Sequence, residues 1–259
     1  MIQMIFLRLL CACSGHLFLS SEEIRIESIQ NMTQLPVSTS EMTRMYFIPN
    51  GESEYSIQDE NGTVFTSGKS PNVPLTERGL EQAFQLKAAL SSKIRDVVIH
   101  TAPAKRAEQT ALQLLSAESQ IAIGETYEGL IEVGMGIWEG KSKDQLYKNE
   151  YQTWKNLSAA DKYMTPKVFM GESFYEASAR ALLDLKTILS KDQGKTIFII
   201  SGENLLNALA MRWSGSQFSE EPGSQLPMLP MEKCDLFMIE IPHGQPIEKA
   251  TLKLVVHKS

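Results

Sequence analysis

Cysteine is scarce. Cys11, Cys13 and Cys234 are the only three in 259 residues, too few for a disulfide framework, and no histidine stands at metal-ligand spacing from them. The sequence therefore implies no disulfide, no zinc and no other metal. Positive charge is also outweighed, with 25 Lys and Arg against 31 Asp and Glu and a net charge of −6. This balance argues against a nucleic-acid partner, although a local basic pocket remains compatible with it. No apolar run reaches the roughly 20 residues of a membrane span. The nearest approach, Ile5 to Leu19, resembles a signal h-region with Arg8 as a meagre charged lead, but His16 interrupts it and no small-residue cleavage site follows. A cytoplasmic protein is expected ahead of a secreted one. Neither G-x-G-x-x-G nor a P-loop occurs, so no nucleotide cofactor, and no cofactor of any kind, is implied.

What is present reads as an ordinary globular chain, 42% apolar and 22% charged, long enough for one α/β domain with a sizeable core. Residues 1–41 read as an extension, its second half polar and rich in Ser, Thr and Gln, and residues 42–259 as the domain. Met45 to Ile48 is a short apolar run stopped by Pro49-Asn50-Gly51, which predicts a buried strand ending in a turn. Leu80, Ala83, Phe84, Leu86 and Leu90 predict an amphipathic helix with Thr76 as its N-cap. Asp96 to His100 predicts a second strand, and Pro103 to Leu115 a helix with Pro at its first position. Phe174 to Leu189 predicts a long helix. Thr196 to Ile200 predicts a fully buried strand leading through Ser201-Gly202-Glu203-Asn204 into a helix that ends at Trp213. Leu236 to Ile241 and Ala250 to Val256 predict closing strands. Strands alternating with helices imply a three-layer αβα sandwich around a mostly parallel sheet. The polar and aromatic stretch around 140–170, with Tyr147, Tyr151 and Trp154, predicts a lid over a site.

Five segments, in order, then carry a resemblance. Gly51-Glu52-Ser53, Pro74-Leu75-Thr76-Glu77-Arg78-Gly79, Ile99 to Thr110 with Arg106-Ala107-Glu108-Gln109-Thr110, Leu130-Ile131-Glu132 through Gly136-Ile137-Trp138-Glu139-Gly140, and Gly171-Glu172-Ser173 resemble the motifs of the histidine phosphatase superfamily, the phosphoglycerate-mutase-like proteins. The resemblance covers Met45 to Ile241. It implies that fold, and a chemistry in which a histidine attacks a phosphoryl group while arginines and a second histidine hold the phosphate oxygens and a carboxylate protonates the leaving oxygen. On this alignment the nucleophile position is Asn50, the arginine before it is Pro49, and the second histidine is Gly202, followed by Glu203. An amide has no basic lone pair to attack with, and glycine has no ring. Arg106 and Glu132 remain, as oxyanion clamp and candidate proton donor.

Candidate ligand-contacting residues are therefore Arg106, Asn50, Gly51, Ser201 and Glu132, with Asn50, Gly202 and Glu132 at the positions of the lost chemistry. Each has a plainer reading. Arg106 could be a surface arginine paired with Glu108 or Asp96, Glu132 a solvated acid, Asn50 a left-handed turn residue, and Ser201 a helix cap. The resemblance implies a catalytically inactive binding or scaffolding protein that recognises a small anionic ligand or a protein partner. The alternative is an active phosphomonoesterase or mutase with a non-standard nucleophile, for which His100, at a strand end, is the candidate.

Overall fold

Apolar runs of five to eight residues bounded by turn chemistry have room to become strands and little else. The computed structural model describes residues 27–28, 34–59, 63–90, 93–94, 96–115, 121–142, 150–214 and 218–256. The apolar run Ile5 to Leu19 and Tyr147 lie outside the described residues. In chain order the strands are β1 (Glu27–Ser28), β2 (Met42–Pro49), β3 (Val97–Thr101), β4 (Ile121–Thr126), β5 (Thr196–Ser201), β6 (Leu236–Pro242) and β7 (Thr251–Val256). The helices are α1 (Glu77–Leu90), α2 (Lys105–Leu114), α3 (Glu150–Lys155), α4 (Ala159–Met164), α5 (Phe174–Lys191) and α6 (Glu203–Trp213).

The sheet runs β1-β7-β6-β2-β5-β3-β4. β2, β5, β3 and β4 are mutually parallel, and β6 alone runs against its neighbours β2 and β7. The fold is thus the three-layer αβα type, with a mostly parallel sheet. β5 is buried along its whole length, as a central parallel strand covered on both faces must be. Burying side chains the size of Phe198, Ile199 and Ile200, all fully buried, contributes about 1.5–3 kcal/mol each.

The lead-in is not wholly outside the domain. Leu35 is buried in the core, the Tyr46 hydroxyl donates to Pro36 O at 2.6 Å, and Arg44 Nη1 donates to Val37 O at 2.7 Å. β4 was not expected from the sequence. It is an edge strand whose side chains are mostly exposed, so it lacks the apolar pattern by which the inner strands announce themselves. The second predicted helix also begins later than expected, with Ala104 rather than Pro103 beside its first turn and Lys105 as its first residue.

Thr76 caps α1 as expected, its Oγ1 accepting the Gly79 N–H at 3.0 Å. Here the loop after β2 presses onto the helix. A Cβ on Gly51 would meet Gly79 O at 2.5 Å, and one on Gly79 would meet Glu52 O at 2.0 Å. Glycine to alanine within a helix usually stabilises by roughly 1 kcal/mol. At position 79 the sign should reverse: Gly79→Ala is expected to destabilise the protein by about 1–3 kcal/mol, read as a lowered midpoint in urea unfolding, and an unchanged or raised midpoint would contradict this packing.

Candidate functional site

The carboxyl ends of β2, β3 and β5 abut because the strands are parallel neighbours. The Asn50 N–H donates to Ser201 O at 2.8 Å and the Ala102 N–H to Ile200 O at 2.9 Å. Open α/β sheets place their ligands beyond such ends. A cleft of about 420 Å³ lies there, lined by Asn50, Arg106, Glu132, Gly202 and Asn204 among others. Tyr55, Phe65, Trp138 and Tyr151 give it aromatic surface, and Lys167 and Lys233 join Arg106 as its cations.

Arg106 is almost fully buried, at 3% exposure, and its guanidinium donates to Gly68 O at 2.8 Å and Ser70 O at 2.7 Å. It faces the cleft and not Glu108 or Asp96. Burial pulls its pKa below the ordinary arginine value, while the charges of Glu132 and Glu139 pull the other way. Arginine stays protonated throughout. Asn50 is buried, with its amide donating to Gly51 O at 2.8 Å, and it is not among the non-glycine residues of positive φ, which are Asp96, Met170 and Cys234. The left-handed-turn reading is therefore set aside.

Glu132 departs most from expectation. One carboxylate oxygen accepts the N–H of Val133 at 2.8 Å and of Leu205 at 2.9 Å. The other accepts the Asn204 N–H at 3.2 Å and its side-chain amide at 3.4 Å. The carboxylate thus rests on the first turn of α6, where unpaired backbone N–H groups and the helix dipole favour negative charge. Both carboxylate oxygens are engaged as acceptors. The room for this comes from Gly202, because a Cβ at that position would lie 2.1 Å from Glu132 Oε2.

A clamp on the other side holds the loop that carries Glu132. Arg180 on α5 forks onto Glu172 at 2.7 and 2.8 Å and also donates to Gly129 O at 2.7 Å and Glu132 O at 3.0 Å. Asp184 accepts the Gly129 N–H at 2.6 Å. Burial raises the Glu172 pKa, but Arg180, the Gly134 N–H and Lys69 more than offset it and hold it below the ordinary value. Arg180 and Asp184 were not found from sequence, where they look like any polar residues on a helix.

Two expected ligand contacts are not on the cleft surface. The Ser201 side chain is fully buried and donates to Leu130 O, so it does not cap α6, whose N-cap is Gly202, and it does not line the cleft. Gly51 is also buried, its N–H donating to Thr110 Oγ1 at 3.1 Å. His100 does not line the cleft either. Its Nε2 meets Asp192 Oδ2 at 2.9 Å and its Nδ1 accepts the Glu125 N–H at 2.9 Å, so both ring nitrogens are occupied within the fold. Conversely, Lys233 was missed; it arrives from the turn before β6 and pairs with Glu203 at 2.8 Å across the mouth of α6. Its neighbour Cys234 ties that turn to β2, donating its N–H to Pro49 O at 2.9 Å. Burial pushes the Cys234 thiol up to about 12, which removes it as a nucleophile. Among the described residues no cluster of His, Cys, Asp and Glu could hold a metal ion, and no helix is long and apolar enough to cross a membrane.

The family model of the histidine phosphatase superfamily (branch 1) matches residues 45–251. The chain belongs to that superfamily. Among solved structures it is similar to the alpha-ribazole phosphatase from Shigella flexneri, 26% identical, with a TM-score of 0.61 and coverage of 83% of this chain and 96% of that one. It is also similar to YhfR of Bacillus stearothermophilus, at 22% identity and TM-score 0.64, covering 82% of this chain and 95% of that one. The mycobacterial glucosyl-3-phosphoglycerate phosphatase Rv2419c shares the fold at 16% identity and TM-score 0.61, over 84% and 99% of the two chains. No curated protein matches the sequence. The superfamily match takes in every residue that lines the cleft, from Asn50 to Lys233.

The turn that delivers Lys233 also carries a titratable group. Asp235 is buried, and burial, with the Glu232 charge, pushes its carboxyl up to about 6 despite a hydrogen bond from the Glu232 N–H. A raised folded pKa means that its contribution to stability is complete below the ordinary value of 3.8 and is lost as pH rises through about 6. Asp235→Asn keeps an acceptor for Glu232 and removes the buried charge. The variant should match the wild type in thermal unfolding at pH 4 and exceed it at pH 7.5; equal difference at both pH values would refute the assignment.

Proposed function

We propose that this chain is a non-catalytic binding member of the superfamily, taking a small polar ligand in the cleft beyond β2 and β5. The observation that carries the reading is the state of the two imidazole positions. One holds Asn50, and the other holds Gly202 with the Glu132 carboxylate lying where a side chain would be. A phosphohistidine route needs an imidazole in line with phosphorus, and His100, the nearest alternative in sequence, is engaged with Asp192 and Glu125. The size of the cleft suits a small molecule, and its charges nearly balance. Tyr151 and Lys167 reach it from the 150–170 segment, which supports reading that segment as a lid. The clamp of Arg180, Glu172 and Asp184 keeps the cleft shaped although the attacking group is gone.

The competing reading, a phosphomonoesterase with a non-standard nucleophile, draws on the phosphatase activities named for relatives such as the Shigella flexneri protein. A steady-state assay with 4-nitrophenyl phosphate separates the two. Binding without catalysis predicts a rate for the wild type indistinguishable from that of Arg106→Ala. A working phosphatase predicts a measurable rate that falls by about 10²–10³ on removing this oxyanion donor, and loss of that rate in a folded His100→Ala variant would identify the nucleophile.

A further inference from the structure

The Glu132 carboxylate sits where a bound oxyanion would be received. It takes the first N–H groups of α6, at Asn204 and Leu205, and it is one of the two charges that act on the buried guanidinium of Arg106. A helix N-terminus beside an arginine is a general receiver of phosphate. In this chain the receiver is already filled from within, and the filling has its own sequence requirement, since any side chain at position 202 would strike Glu132 Oε2.

We infer that Glu132 and Gly202 act as a specificity pair. Glu132 is a built-in anion that closes the oxyanion subsite to phosphate and phosphomonoesters, and Gly202 makes the room for it. The ligand that approaches Asn50 therefore carries no phosphoryl group at that end. A phosphate entering the subsite would compete for the same N–H donors and meet a carboxylate of like charge, and both effects act against it. Glu203 adds a second acid at the mouth, neutralised by Lys233 at 2.8 Å, so the entrance offers phosphate no surplus positive charge from that pair. The inference rests on the cleft being a binding site, and its test is separable from the assay of hydrolysis.

The probe is inorganic phosphate, titrated calorimetrically into the full chain at pH 7.5. The wild type should show no saturable binding in the low millimolar range. Glu132→Ala, which frees the α6 donors, should bind at least about tenfold more tightly, and adding Arg106→Ala should cancel that gain. Gly202→Ala provides an independent route, because its Cβ displaces the carboxylate while leaving the acid in the chain, and it should show the same gain in kind. Wild type that binds phosphate as tightly as the folded variants would overturn the inference, as would folded variants with no gain. Phosphate binding by the wild type without hydrolysis would remove this inference alone, whereas hydrolysis by the wild type would remove the reading on which it rests.

Discussion

The carboxylate of Glu132, seated on the N–H groups that open α6, is the contact on which the rest of the cleft depends. Helix N-termini leave four backbone donors without intrahelical partners, and at this one the donors of Asn204 and Leu205 are satisfied by a side chain that comes from a loop some 70 residues earlier. Hydrogen bonds to a charged group contribute about 1.5–3 kcal/mol each, and leaving buried donors unmet costs a comparable amount. The contact also sets geometry at both of its ends. It fixes the register of the Leu130 to Val133 loop against α6, and the chain is held from behind at Gly129 and Glu132 by Arg180 and at Gly129 by Asp184, both on α5. Ser201 adds a further tie by donating to Leu130 O.

This contact links what the sequence presents as separate departures from the superfamily pattern. Taken alone, glycine at 202 is the loss of a ring. In the structure it is also the vacancy that Glu132 fills, so the two positions form one arrangement. Restoring an imidazole at 202 would require Glu132 to leave the helix terminus. Asn50 is likewise integrated, its backbone bonded to β5 and its amide to Gly51. The cleft thus has a frame whose parts are tied to one another at the strand ends.

Much of the scaffold was legible in the sequence because it rests on burial. Strands such as β2 and β5 are apolar on both faces and are stopped by turn residues, and α1 and α5 show an apolar stripe. β4 was not legible, since an edge strand with exposed side chains and Gly124 in its middle carries no such pattern. At the site, the motif order located Arg106 and Glu132 but could not give their partners. A sequence shows that a serine precedes a helix; it does not show that the hydroxyl of Ser201 is turned away to a carbonyl of another loop. Lys233 was invisible for a similar reason, because a lone lysine before a late strand becomes a cleft residue only through the turn that Cys234 pins to Pro49. His100 illustrates the reverse error: its place at a strand end suggested the cleft, but its side chain points to Asp192.

The account stands or falls on the coupling between Gly202 and Glu132, and a double-mutant cycle on folding stability measures it. Gly202→Ala changes the N-cap in either background, a cost that cancels in the cycle. With Glu132 present, the added Cβ should also dislodge the carboxylate; in the Glu132→Ala background it has nothing to strike. The account predicts that the two substitutions are strongly non-additive in urea unfolding, with Gly202→Ala costing about 1–3 kcal/mol less once Glu132 is gone. Additivity within about 0.5 kcal/mol would contradict it.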